Sequence, residues 1–546
     1  MSLFEQILAA RGLSGELLDE FLHPNYDKRH DPFLLPDMNK AVDRLEVALK
    51  KQEKITIYGD YDIDGLTATA LLLDAFKSFG FKNVDAFIPN RFVEGYGLTV
   101  DAIKAIAKRG TKLIVTVDCG SLSYKEVDEA NKLGVDVIVT DHHSVGDENP
   151  EAVAVINPKR KDHKYPFVDL AGVGVAFKLV QAMQTRIKGL EAGKEKWLLD
   201  LVALGTVCDV VSLTDENRTN VYWGLEVLKK TRRPGLKALM AVARVDVGKL
   251  SSRTLGFVLG PRMNASGRLE TAQYALDMLT TKDSTQALDL AKKLDDMNYK
   301  RRKDQDKIME EAIKIADNYK DDPVLVVSSK GWNHGIIGIV AAKLLEKYKK
   351  PTFVIEEIDE ESKGSARSYG DFSAVDAINY ARDLLISGGG HKLAAGIKLK
   401  TSDIDAFRKK LNEFYKSLKL KNQESLLLQK EDVEANLSEV TEELVNQLES
   451  LEPFGNGNPE PIIKSTGLVV EKVRVMGDKN QHVKIVVHDD GDVSMDMLAF
   501  SAPKEFFIDD GLVIDVLYKP MINRWNGNVN IEGRLLDIKQ RVHSKV

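Results

Sequence analysis

The sequence predicts an α/β protein of several units: a parallel sheet first, a smaller α/β unit second, and a small antiparallel sheet or barrel of OB type last. Three observations carry this. From about residue 50, short apolar runs alternate with amphipathic ones, the pattern of βαβ units. Residues 283–319 hold Leu290, Leu294, Met297, Ile308, Ala312 and Ile315 at helical spacing with no Gly or Pro. Beyond Pro461, short alternating segments are broken by Gly, Asn and Asp, which suits a compact β unit.

Taken in order, "KITIYGDYD" reads as a buried strand and "GLTATALLLDAFKSFG" as a helix. "KLIVTVDCG" is a strand, "YKEVDEANKLG" a helix and "VDVIVTDHH" a strand. Parallel strands place all their C-terminal ends on one edge, where ligands of open α/β sheets bind. Asp60 to Asp64, Asp118, and Asp141 to His143 fall at such ends. The helix over 283–319 would span about 54 Å at the usual rise per residue, long enough to connect two units. After "DDP", the segments "VLVVSS", "GIIGIVAAKLLEKY" and "KPTFVIEE" begin a second α/β pattern, expected to be too short for a full sheet domain and to end near Lys421. A polar linker and a helix, "VTEELVNQLESL", lead into the β unit.

Composition bounds the function. At 546 residues and about 150 residues per domain, three or four domains are expected. The chain is 43% hydrophobic and 29% charged, as soluble globular proteins are. No run of about 18 apolar residues argues for a membrane span, and "MSLFEQILAARG" lacks the pattern of a signal peptide. Two cysteines, Cys119 and Cys208, with no CxxC pair exclude a disulfide framework or zinc ribbon. They fit a reducing, cytoplasmic setting, and each reads as a small buried filler. A net charge of −6 means that any nucleic-acid contact is local. "KRKDHK" at 159–164, "KKTRRP" at 229–234 and "YKRRK" at 299–303 are the candidates, against the plain reading of solvated faces.

The stretch "YGDYDIDG" sets Asp60, Asp62 and Asp64 at alternate positions, and three such charges repel. A calcium loop of EF-hand type fails, because Leu71 stands where a bidentate Glu is required and the stretch follows a strand. A phosphatase of the haloacid-dehalogenase kind fits "DIDG" after a strand, but predicts a later strand-end Ser or Thr and a Lys. A third reading joins Asp62, Asp64, Asp118 and His142 with Asp209, which ends the apolar segment "LVALGTVCDVV". So many carboxylates in one cleft raise each other's pKa unless cations neutralise them. Two divalent ions about 3.5–4 Å apart would do so. Taken singly, each strand-end Asp could equally be a helix N-cap; the joint arrangement favours metal.

These residues resemble the DHH phosphoesterase superfamily, named for the triplet standing here as Asp141-His142-His143. "GDYDIDGLTATA", "VTVDCG", "VTDHH" and "GTVCDVV" match its four motifs in order. "NRFVEGYGL", "GPRMNASGRL", "GWNHGIIGIVAAKL", "GSARS", "GGGHKLAAG" and "LEPFGNGNPEP" look like signatures of its bacterial branch of single-strand-specific exonucleases. The resemblance implies an N-terminal extension (1–46) packing on a DHH catalytic domain (47–282), a connecting helix (283–319), and a DHH-associated substrate-binding domain (320–421). A linker helix and an OB-like nucleic-acid-binding domain (422–546) complete the chain.

The implied reaction is 5′→3′ hydrolysis of single-stranded DNA to 5′-mononucleotides, in repair and recombination, with two Mn2+ or Mg2+ ions and an attacking hydroxide. One ion falls to Asp62 and Asp118 and the other to Asp64, Asp118, His142 and Asp209. Several superfamily members carry a histidine where this chain has Tyr58, which leaves Asp60 either as its substitute or as a support behind the ligands. His143 is placed to bond a phosphoryl oxygen. Ser365 and Arg367, with Arg262 and Asn264 of "GPRMN", form the implied pocket for the terminal phosphate, to which Gly389, Gly390 and His391 add contacts. Arg91 and Tyr96 are expected to grip the strand by charge and stacking, although Tyr96 could also fill core. Arg474, Lys484, Arg524 and Trp525 are candidates on the barrel. Single-stranded DNA, a helicase and a single-strand-binding protein are the implied partners. A nanoRNase or cyclic-dinucleotide phosphodiesterase, or a non-catalytic replication scaffold, are the alternatives within reach of the same motifs.

Overall fold

The computed structural model describes residues 1–420, 429–491, 493–525 and 528–541. Its first sheet comprises β1 (Ile55–Gly59), β2 (Val84–Phe87), β3 (Leu113–Val117), β4 (Asp136–Thr140) and β5 (Ala154–Ile156). All neighbours pair in parallel in the order β2-β1-β3-β4-β5. β1 and β3 are buried at every position, which is why their sequences are continuous apolar runs without alternation. The order reverses beside β1, and the C-terminal ends of β1, β3 and β4 therefore flank one crevice.

Helices Ile63–Phe79, Gly172–Arg186 and Leu199–Cys208 pack on this sheet in one core with Leu66, Val115, Val173 and Leu204. The last of these corrects a reading of the sequence: Asp209 caps a helix C-terminus and does not end a strand. Residues 1–46 divide between two units. Tyr26, Leu35, Met38, Ala41 and Leu45 join the first core, whereas Ile7 and Leu8 join the core of the C-terminal unit. Arg11 reinforces the second attachment, donating to both carboxylate oxygens of Asp432 at 2.8 and 3.1 Å.

Helix Ser284–Ala316, 33 residues capped by Asp283, spans about 50 Å and carries residues of both neighbouring cores: Ala291 and Leu294 in the first, Ile308 and Ala312 in the second. The second α/β unit is larger than its sequence suggested. Strands β6 (Leu325–Lys330), β7 (Thr352–Glu357), β8 (Glu361–Arg367), β9 (Leu385–Gly390) and β10 (Ala394–Lys400) form a five-stranded sheet in the order β6-β7-β8-β10-β9. The segments missed are β8 to β10, whose Gly- and Ser-rich sequences carry little strand signal.

The C-terminal unit contains β11 (Val433–Glu434), β12 (Ile463–Met476), β13 (His482–His488), β14 (Ser494–Ala499), β15 (Val513–Trp525) and β16 (Asn528–Gln540). β12, β13, β14, β16 and β15 pair in turn, and β15 returns to β12, closing a five-stranded barrel of OB type. Among the described residues no helix is long and apolar enough to cross a membrane.

Candidate active site

The crevice gathers the acidic residues by different local routes. Asp60, at the end of β1, is buried. Asp62 caps helix Ile63–Phe79, accepting from the Gly65 amide at 3.2 Å. Asp64, in the first turn of that helix, accepts from the amides of Gly172 (2.6 Å) and Val173 (2.8 Å) at the start of helix Gly172–Arg186. Only glycine fits at 172, since a Cβ there would lie 2.8 Å from the Asp118 side chain and 2.9 Å from Asp64 Oδ2. Asp118 follows β3 with φ 62°, a left-handed conformation that Asp tolerates better than most residues. His142 follows β4.

Three groups of ligand atoms, each within 4.8 Å, result: Asp118 with His142 and His143, and, each sharing a member with it, Asp60 with Asp62 and Asp118, and Asp64 with His142 and Asp209. Asp118 reaches both of the last two, because its Oδ1 lies 3.1 Å from His142 Nε2. The same Nε2 is 3.5 Å from Asp209 and 3.7 Å from Asp64. Tyr58 is buried and donates to the Gly97 carbonyl at 3.0 Å. Asp60 is thus the residue of that strand end available to the group with Asp62 and Asp118.

Burial, and then the repulsion of neighbouring carboxylates, raises the pKa of Asp60 and Asp118, pushes Asp64 up to about 7 and pushes Asp209 up to about 9. Burial, reinforced by the charge of His143, lowers His142 to about 3, so its ring is neutral, the form that ligates metal. Asp60 Oδ1, Asp118 Oδ1 and His142 Nε2 are buried without a hydrogen-bond partner among the described residues. Each such orphan costs about 1–3 kcal/mol. Hard oxygens with a single imidazole fit divalent Mn or Mg, and cations there would satisfy the orphans and the charge together.

Asp141, which the sequence places at this sheet edge without a role, organises the neighbouring side chain. It accepts from the amides of Ser121 (2.9 Å), His142 (2.7 Å) and His143 (3.1 Å), and its Oδ1 lies 2.9 Å from His143 Nδ1. Burial disfavours the Asp141 charge, but the bonds and charge of His143 outweigh it and hold the carboxyl far below its ordinary range. Burial also opposes the charge on His143, but the Asp141 bond and the charges of Asp141, Asp62 and Asp64 raise its pKa overall. Tyr96, half exposed, sets its hydroxyl 3.1 Å from the same His143 Nδ1.

A basic cleft adjoins the acids. Arg268 donates to the Gly335 carbonyl at 2.9 Å across the gap between the two α/β units. Burial, and then the charges of Arg91, Arg301 and Arg367, lower its pKa to about 9. Arg301 is held by Asn298 (2.6 Å) and Gln305 (2.8 Å) on the long helix. Arg367 contacts Ser365 Oγ at 3.4 Å and the Ala366 carbonyl at 2.8 Å. Arg91 lies over the Tyr61 ring at 4.0 Å. Arg268 and Arg301, with Asn264, line one cleft of about 610 Å³ that also reaches Lys519 and Arg534 of the barrel.

Models of the DHH family N-terminal domain, the DHHA1 domain and the RecJ OB domain match residues 54–206, 321–417 and 431–537. A single-stranded-DNA-specific exonuclease RecJ of Escherichia coli is 35% identical over 91% of this chain and 89% of its own length. The chain belongs to the RecJ family. RecJ of Bacillus subtilis is 39% identical over 96% of the chain, which spans 66% of that relative. The solved structure of Thermus thermophilus RecJ in complex with Mn2+ superposes with a TM-score of 0.83, at 28% identity, covering 99% of this chain and 76% of that one.

Within this RecJ-family fold, the remaining expected residues fall in several places. Arg262 is engaged away from the cluster, donating to Asp295 on the long helix at 2.8 Å and to the Val258 carbonyl at 2.7 Å. Gly389 and Gly390 end β9, and His391 begins its turn to β10; all three are exposed. No hydrogen bond or ion pair links them to the aspartates among the described residues. Of the basic runs, Arg160 pairs with Asp37 and Asp162, and Arg233 is buried against Asp74 and Asp200. On the barrel, Lys484 pairs with Asp496 and Arg524 with Glu442, and Arg474 is exposed. The side chain of Trp525 lies outside the described residues.

Proposed function

We propose that this chain hydrolyses single-stranded DNA from the 5′ end to 5′-mononucleotides, with Mn2+ or Mg2+ held by Asp60, Asp62, Asp64, Asp118, His142 and Asp209. The observation that carries the reading is the set Asp60 Oδ1, Asp118 Oδ1 and His142 Nε2, buried and partnerless among the described residues, beside a cluster of arginines. Two divalent ions there would supply Lewis acidity, lowering the pKa of water and neutralising charge on the phosphoryl oxygens.

The protein does the rest by position. The amides of Gly172 and Val173 fix both oxygens of Asp64, so its geometry is set before substrate arrives. The carboxylate of Asp141 takes the proton on His143 Nδ1 as a hydrogen bond, which leaves Nε2 to donate to a phosphoryl oxygen once the ring is protonated. For the terminal phosphate, the anchor comprises Ser365, Arg367, Arg268 and Arg301; the last two replace Arg262, whose guanidinium Asp295 already engages. Planar guanidinium groups suit a terminal phosphate because they bond it bidentately. Tyr96 acts on His143 as well as on the strand. A helicase and a single-strand-binding protein are the partners proposed to supply the strand, in the cytoplasm.

Substrate length tests this against a dinucleotide phosphodiesterase. A 40-nucleotide strand should outcompete a dinucleotide by at least tenfold in kcat/KM, because it alone can span the cleft and the barrel. Equal values for the two would transfer the chain to the short-substrate class.

A further inference from the structure

The loop Glu452–Pro459, part of "LEPFGNGNPEP", belongs to the C-terminal unit yet docks on the segment immediately after Asp209. Asn456 Nδ2 donates to the Val210 carbonyl at 3.1 Å, and the Leu213 amide donates to the Asn456 carbonyl at 2.7 Å. Ser252 adds a bond to the Phe454 carbonyl at 2.5 Å. Arg218 secures the loop from below, donating to the carbonyls of Glu452 (2.9 Å) and Pro453 (3.3 Å). The fit is close, since a Cβ on Gly455 would lie 2.7 Å from Leu213 Cδ1 and one on Gly457 2.4 Å from Ser212 Oγ.

What the loop grips is unusual backbone. Helix Leu199–Cys208 ends at Asp209, and Val210 follows with φ 62°. Helices commonly end with glycine at that left-handed position; a β-branched residue holds it only where its surroundings over-determine the conformation. Val210 is 65% exposed, so its own side chain supplies little packing. The two bonds of Asn456 bracket the segment from Val210 to Leu213.

We infer that Asn456, from the C-terminal unit, is a positioning residue that fixes the turn after Asp209 and so orients the Asp209 carboxylate toward the group containing Asp64 and His142. The inference rests on the reading of Asp209 as a metal ligand. It also means that docking of the C-terminal loop and completion of one ion site are coupled.

Mn2+ binding to the full-length protein, followed by calorimetry and by electron paramagnetic resonance, tests it with three variants. Asp209→Ala should lose one of two Mn2+ sites; if it keeps both at parent affinity, the metal reading itself fails. Asn456→Ala should weaken that same site at least tenfold, leave the other within twofold, and melt without metal within a few degrees of the parent. Gly455→Ala, which pushes the loop off Leu213 while keeping the amide of Asn456, should show the same selective weakening and serves if Asn456→Ala folds poorly. If Asp209→Ala loses a site while both loop variants bind two ions as the parent does, or weaken both sites equally, the positioning role is wrong and the metal reading survives.

Discussion

At the scale of single residues, crowding of buried carboxylates is the dominant fact, and it has a pH signature. Asp64 and Asp209 have folded-state pKa values of about 7 and about 9, above the value of about 3.9 for a free Asp. A carboxyl whose pKa is raised on folding contributes stability fully below the unfolded value, and that contribution is lost as pH rises through the folded value. Metal-free protein should therefore melt at progressively lower temperature between about pH 5 and pH 9. Stabilisation by Mn2+ should grow over the same range, since binding requires the deprotonated ligands. Thermal melts with chelator and with Mn2+ read this directly, and a pH-independent gap between the two curves would contradict it. The arginines give a second residue-scale expectation. Arg367→Ala or Arg268→Ala should remove a preference for 5′-phosphate over 5′-hydroxyl ends, whereas Arg262→Ala should keep it, as measured by kcat/KM on the two substrates. Strand-end aspartates and the triplet were legible in sequence because they stand at the breaks of apolar runs. Arg268 was not, being an unremarkable cation inside a helix, and the role of Asp141 within the triplet was not, because it rests on three amides that only the folded chain aims at it.

At the scale of elements, the first sheet presents its ligands because its strands are parallel and covered on both faces. Helix Gly172–Arg186, which covers the sheet, is joined to helix Asp215–Leu228 by a buried ion pair. Lys178 Nζ lies 2.5 Å from Glu216 and donates to the His30 carbonyl at 2.7 Å, and Tyr165 also bonds Glu216. Glu216→Ala would leave the ammonium uncompensated, at a cost of about 3–5 kcal/mol, so its denaturation midpoint should fall sharply. A Glu216→Ala midpoint close to that of the parent would show that Lys178 finds another partner. The run "LVALGTVCDVV" shows where sequence pattern stops: apolar on every side, it has neither a period of two nor one of 3.6, and nothing local distinguishes a buried helix from a buried strand. The same blindness applied in reverse to β8–β10, whose glycines and serines hid a strand signal that packing supplies.

At the scale of the whole molecule, the order of units followed from changes in pattern along the chain, but their contacts did not. Ile7 and Leu8 cross to the C-terminal core, and the loop Glu452–Pro459 crosses back to the first unit; neither contact has a signature in nearby sequence. The second crossing borders the cleft lined by Arg268 and Arg301 and by Lys519 and Arg534 of the barrel. The most direct test is digestion of one single-stranded oligonucleotide, labelled at the 5′ end or at the 3′ end, with Mn2+, Mg2+ or chelator. With either ion, the 5′ label should appear at once as mononucleotide while the 3′ label shortens gradually, and neither should change with chelator or with Asp118→Ala. Early release of the 3′ label, or cleavage that persists without metal, would contradict the account.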